Sequence, residues 1–145
     1  MLVVPRHLLT ATFEQFRDHG RGEIECVVYW VGPADEKDRV DEFVHPVHTS
    51  HHGGYQIDDH WLTKFWLDLA RRRKSVRAQV HTHPHEAFHS KSDDTWALLP
   101  DVGFLSLVIP DFALGPVGLE RAFLAERNAE GGWSSPMPEQ RINIL

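Results

Sequence analysis

The sequence predicts an α+β or three-layer α/β domain, a mixed β-sheet with helices packed against it. Three features carry this expectation. Residues 58–74 place Trp61, Leu62, Phe65, Trp66 and Leu69 at helical spacing. The runs EIECVVYWV (23–31), SVRAQVHTH (75–83) and GFLSLVI (103–109) read as strands. The elements follow one another as α-β-β-α-β-α-β-β-β, an order that suggests a mixed sheet covered by helices.

The elements are justified in order. Thr10 to His19 reads as a short helix, with Thr12 and Gln15 as a capping box, Phe13 and Phe16 facing inward and Gly20 as the stop. The 23–31 strand is rich in β-branched and aromatic residues, and Gly32-Pro33 is expected to end it. RVDEFVHPV (39–47) is a second, less regular strand candidate. Asp58 caps a helix that runs to about Lys74. Pro84 terminates the 75–83 strand, and a polar loop and a short helix near Asp93 to Leu99 follow. The 103–109 run is nearly continuous in apolar residues, as a central buried strand requires. LERAFLAE (119–126), a Gly131-Gly132 turn and RINIL (141–145) read as a closing hairpin or edge strands.

With 145 residues, the chain is read as a single domain, 1–145. Its one cysteine, Cys26, excludes an internal disulfide and a multi-thiolate zinc site within one chain. A reducing, cytoplasmic setting fits that usage. A formal net charge of −6 argues against nucleic acid as the main partner. The basic run Arg71–Lys74 is read as complementing a helix C-terminus. The apolar run before Pro5 is too short for a signal peptide, and no stretch approaches the ~20 residues of a membrane span.

Eleven histidines are the unusual feature. HPVHTSHHGG (45–54) holds four of them without a carboxylate and reads as a solvated loop. HTHPHEAFHSKSDD (81–94) superimposes two zinc patterns. His85-Glu86-x-x-His89 matches a helical metalloprotease signature, but a helix there would have to cross the poor helix formers of HSKSDD. The metzincin extension is also missing, since Ser92 and Thr95 stand where it needs glycine and histidine. The second pattern is His81-x-His83. On a strand, residues two apart share a side, so two imidazoles can converge on one ion. Asp93 follows within reach of a folded-back loop, and two histidines with one carboxylate leave an open position on zinc. Zinc in such a site brings the pKa of its water toward ~7. Glu23 and Glu25, two apart on the expected strand, read either as a solvent-facing edge or as carboxylate candidates for proton transfer. His85 and His89 are then extra histidines near the mouth, read as solvated loop residues.

Glu25 with Gly32 seven residues on, His81-x-His83-Pro84, and Ser90-x-x-Asp93 together resemble the JAMM motif of the MPN/JAB metalloproteases. The strand and its sequel GFLSLVIPDFA (103–113) are also similar to what members carry there, and the likeness spans about residues 20–113. Val28 stands where many relatives have glycine, and the loop from Pro84 to Ser90 is one residue shorter. An ungapped register would put Lys91 at the serine and Asp94 at the ligand; Ser90 and Asp93 are preferred because a lysine beside the metal repels it.

The resemblance implies a cytidine-deaminase-like three-layer fold and a bound Zn2+. It implies that His81, His83 and Asp93 ligate the metal, that Glu25 moves a proton from the zinc-bound water to the leaving amine, and that Ser90 stabilises the oxyanion. It further implies an isopeptidase or peptidase acting after the tail of a ubiquitin-like protein, with activating and conjugating enzymes as associates. The small chain resembles the prokaryotic stand-alone type, some of which work with sulfur-carrier proteins. The alternatives are a processing peptidase for such a carrier and a non-catalytic MPN-fold scaffold.

Overall fold

A computed structural model of the chain describes residues 1–51, 54–90, 93 and 98–145. Its centre is a six-stranded mixed sheet in the order β3-β2-β6-β7-β8-β9. The strands are β2 (Val27–Pro33), β3 (Glu42–Val44), β6 (Lys74–Thr82), β7 (Leu105–Ile109), β8 (Phe123–Arg127) and β9 (Trp133–Ser134). Only β6 and β7 run parallel; the other neighbours are antiparallel. A parallel pair, β1 (Leu2–Val4) with β10 (Ile142–Ile144), and a hairpin, β4 (His48–His51) with β5 (Gly54–Ile57), complete the strands of the described residues. β1 was not foreseen. RINIL does not close a hairpin, because its β10 portion pairs with the N-terminal strand instead.

One helix covers each face of the sheet. α1 (Arg6–Gly20) buries Leu8, Leu9, Phe13 and Phe16 against Val28, Trp30 and Val80. It begins four residues earlier than the expected helix, because Pro5 takes the cap position and its carbonyl accepts from Leu8 and Leu9. Thr12 is therefore no cap. It lies inside the helix, donates to the Leu8 carbonyl at 2.8 Å and accepts from the buried Trp30 Nε1 at 3.0 Å. α2 (Asp59–Arg72) starts where expected, with the Asp58 carboxylate accepting from Trp61 N at 2.8 Å. Phe65 and Leu69 are its buried pair, and Trp61 stacks on Phe65 at 4.7 Å between centroids. A short α3 (Pro138–Arg141) leads into β10.

Several element boundaries differ from expectation. β2 starts at Val27 and runs through Gly32-Pro33, so neither Glu23 nor Glu25 is on it. A turn and an irregular stretch after α1 take up residues 21–26, with Arg21 and Gly22 both at positive φ. Gly32 continues the strand because its α-carbon lies against the Arg39 carbonyl, where any Cβ would stand 1.8 Å from that oxygen. The 39–47 candidate shrinks to the three residues of β3. HPVHTSHHGG is no open loop throughout, since His48–His51 forms β4. Of the helix expected over 93–99, Asp93 is helical and residues 94–97 lie outside the described residues.

Along β2 and β6, alternate residues face opposite helices. Cys26, Val28, Trp30, Ala78 and Val80 join the α1-side core, while Val27, Tyr29, Val31 and Phe65 form the α2-side core. Gln79 and His81 fall on the α2 side, as does Ser106 of β7. All three are buried polar residues, and Gln79 and Ser106 stand opposite each other in the parallel pair.

Candidate metal centre

His81 is the penultimate residue of β6 and His83 is the first residue after it. His81 is paired with Val27 on one side and Val108 on the other, so its ring has no room to leave the α2 face. His83 is fixed by the backbone around it. Its N–H donates to the Ile109 carbonyl at 2.9 Å, and its own carbonyl accepts from Phe112 N at 2.9 Å. The Asp111–Ala113 turn that supplies this contact is left-handed at three consecutive non-glycine residues, with φ of 55, 52 and 62°. Such a turn is costly unless its surroundings hold it. Arg17 of α1 does so, donating to the Ala113 carbonyl at 2.8 Å and the Gly115 carbonyl at 2.6 Å.

Asp93 is held by Ser90 through two reciprocal bonds. Ser90 N donates to Asp93 Oδ2 at 2.8 Å, and Asp93 N donates to Ser90 Oγ at 3.0 Å. This is a capping box with aspartate in the glutamate position. It aims Oδ2 at the two imidazoles, 3.2 Å from His81 Nε2 and 3.3 Å from His83 Nε2. One ligand atom from each residue lies within 4.8 Å of the other two. Donors on tetrahedral zinc, at ~2.0–2.2 Å from the ion, stand roughly 3.3–3.5 Å apart. The Asp93–His pairs have that separation. His81 Nδ1 and His83 Nδ1 are buried and form no hydrogen bond among the described residues. Two buried imidazoles gathered on one carboxylate oxygen are an arrangement that fits a cation. The donor set is compatible with zinc.

The electrostatics favour a cation at this point. Burial pushes the Asp93 carboxyl up, but the His81 and His83 imidazoles and the Ser90 amide outweigh it and hold the group well below the usual carboxylate range. Burial also pushes the Tyr55 hydroxyl far up, and the neighbouring Tyr29, Asp93, Glu25 and Cys26 add to that. Tyr55, on the β4–β5 hairpin, packs on His81 at 5.6 Å between ring centroids. Glu25 precedes β2, its carbonyl accepting from Ser50 Oγ at 2.6 Å.

His85 and His89 do not join the group. Residues 84–89 are not helical, so their four-residue spacing does not bring them to one side. His85 is exposed, and its carbonyl accepts from Asp111 N. The His89 ring lies 3.0 Å from Ser106 Oγ and packs on Trp133 at 4.6 Å, so it is no solvated loop residue. Lys91 and Asp94, the pair of the ungapped register, lie outside the described residues. Tyr55 and the Gln79–Ser106–His89 chain were not singled out from the sequence. Polar Gln79 and Ser106 inside two apolar strands were the available signal. Val28 is fully buried in the α1-side core.

The sequence is 28% identical over 138 residues to the probable metalloprotease y4jG of Sinorhizobium fredii, covering 92% of this chain and 85% of the relative. No family model matches. The fold is similar to that of a protein from Desulfitobacterium hafniense, DSY2949, with a TM-score of 0.67 and 16% identity over 100% of this chain and 93% of that one. It is also similar to AF2198, a JAB1/MPN domain protein from Archaeoglobus fulgidus, with a TM-score of 0.55 and 15% identity over 100% and 97% of the two chains. The architecture, a mixed sheet flanked by helices, is similar to that of the JAB1/MPN domain protein.

Proposed function

We propose that the protein is a zinc-dependent peptidase that cuts a peptide or isopeptide bond after the C-terminal tail of a ubiquitin-like protein. The observation that most supports this reading is the meeting of His81 and His83 on one oxygen of Asp93, at 3.2 and 3.3 Å. A relative with 28% identity is a probable metalloprotease. His81, His83 and Asp93 hold the zinc, which supplies a Lewis acid and a water activated at neutral pH.

The chain's own residues do the rest. Glu25 accepts a proton from the attacking water and returns it to the leaving amine, the task of a positioned carboxylate. Ser90 Oγ accepts from Asp93 N, which leaves its hydroxyl proton to donate to the oxyanion forming on the scissile carbonyl. An extended tail ending in glycines suits a narrow approach to buried His81 and His83 and can be held by strand addition. The expected partners are the ubiquitin-like protein, its conjugates and the enzymes that activate and conjugate it.

The test uses a ubiquitin-like protein fused through its terminal diglycine to a fluorescent amine. Wild type is expected to release the amine. Glu25→Ala is expected to be slower by about 10²–10⁴-fold with its zinc retained, and His81→Ala to lose both zinc and turnover. Equal release by all three proteins sinks the assignment. Tight binding of the fusion by wild type with no release sinks hydrolysis and leaves a scaffold.

A further inference from the structure

His81 and His83 use only two of the eleven histidines. Three others meet the chain's one cysteine on the opposite face of the sheet. Cys26 follows Glu25 and turns its side chain into the α1-side core. Its Sγ lies 3.4 Å from His45 Nε2. His19, near the C-terminus of α1, and His48, at the start of β4, close the group. Ring centroids are 4.6 Å apart for His19–His45, 4.9 Å for His19–His48 and 5.2 Å for His45–His48. One ligand atom from each of the four residues lies within 4.8 Å of the other three. On tetrahedral zinc, sulfur and nitrogen donors stand roughly 3.5 Å apart, and the Cys26–His45 pair already has that separation.

The hydrogen bonds point the same way. His48 Nδ1 lies 3.0 Å from the Pro46 carbonyl, an acceptor only, so Nδ1 carries the proton and Nε2 is a bare lone pair. That Nε2 is buried and has no hydrogen-bond partner among the described residues; neither has His19 Nδ1. A histidine with one nitrogen fixed by a backbone carbonyl and the other bare is prepared to ligate a metal. His45 Nδ1 is 3.3 Å from the Gln15 amide, which can turn its oxygen to Nδ1–H and leave Nε2 for the ion. Burial, then the neighbouring histidines, holds the His45 ring neutral down to about 4, and burial raises the Cys26 thiol to about 12. A cation reverses the second effect by stabilising the thiolate, with release of the thiol proton.

We propose that His19, Cys26, His45 and His48 form a second metal site, a closed zinc centre with structural work. Four protein ligands leave no open position for a substrate or a water. The site ties the end of α1 to the start of β2 and to the β3–β4 connection. It stands beside the candidate catalytic machinery, because Glu25 adjoins Cys26 and the hairpin that starts at His48 carries Tyr55 onto His81. Thr82, between His81 and His83, exchanges bonds with Cys26: Cys26 N donates to its Oγ1 at 2.9 Å and its own N–H donates to the Cys26 carbonyl at 3.0 Å.

The experiment is Co2+ titration of the full chain, followed by near-ultraviolet absorption and metal content. Cys26 is the sole cysteine, so a thiolate-to-cobalt charge-transfer band reports on this site and no other. Wild type is expected to show the band, and His81→Ala/His83→Ala to keep it with one equivalent of metal. Cys26→Ser and His45→Ala/His48→Ala are each expected to lose the band. The first double variant leaves the second cluster intact, so it decides even where a cluster variant fails to fold. No band in wild type, or a band that survives His45→Ala/His48→Ala, overturns the proposal. A band with no metal at His81 and His83 supports it while refuting the function proposed above, so the two failures are distinct.

Discussion

Ser90→Ala separates two tasks that one hydroxyl performs. Its Oγ accepts from Asp93 N at 3.0 Å, and its backbone N–H holds Asp93 Oδ2 at 2.8 Å. Alanine removes the first bond and keeps the second. Losing a side-chain cap costs about 1 kcal/mol. Oδ2 is the atom both imidazoles approach, so the loss is expected to appear as looser ligation. At 1.36 kcal/mol per decade, about 1 kcal/mol weakens zinc binding roughly fivefold. The missing oxyanion donor acts separately and slows turnover by about 10²–10³-fold even with zinc saturating. Ser90→Thr keeps the hydroxyl and is expected to be near wild type in both. Competition with a chromophoric chelator measures the affinity, and cleavage of a diglycine fusion at saturating zinc measures the rate. An affinity within twofold of wild type refutes the claim that the capping box holds Asp93. Full recovery of turnover with excess zinc refutes the oxyanion role.

Two further predictions concern the frame around the site. Gly32→Ala sets a Cβ 1.8 Å from the Arg39 carbonyl oxygen, which backbone alone can relieve. The expected loss is at or above the upper end of the about 1–3 kcal/mol of core overpacking, read as a lower urea midpoint at unchanged slope; a midpoint equal to wild type contradicts the close approach. Thr12→Val strips the fully buried Trp30 Nε1 of its acceptor and is expected to cost about 1–3 kcal/mol. Adding Trp30→Phe removes the stranded donor. The double variant should therefore lose less than the sum of the two single changes, and strict additivity in thermal melts would argue that the pair is not coupled.

Much of the fold was legible because it is written locally. The α2 face follows from Trp61, Phe65 and Leu69 at helical spacing, and its start from the Asp58 cap. β7 follows from a nearly continuous apolar run, and β6 from a stretch that Pro84 brings to an end. Boundaries were harder at β2. Glu23-Ile24-Glu25 looks like strand alternation, yet the positive φ of Arg21 and Gly22 turns the chain there, and pairing with β6 begins only at Val27. Thr12 had the right type for a cap, but Pro5 had already begun the helix. The β1–β10 pair joins the chain's two ends, and no short window of sequence holds both.

The sequence by itself determined the chemical types at the candidate centre. His81 and His83 stand two apart on a strand, and Ser90 and Asp93 stand three apart at a helix start. Both spacings act within a few residues and need no knowledge of the rest of the chain. Which histidines share a point in space was decided only by tertiary structure. His19, Cys26, His45 and His48 come from a helix end, a strand entry and a connection, with no common spacing. They meet because β2 lies between β3 and β6 with α1 across its face.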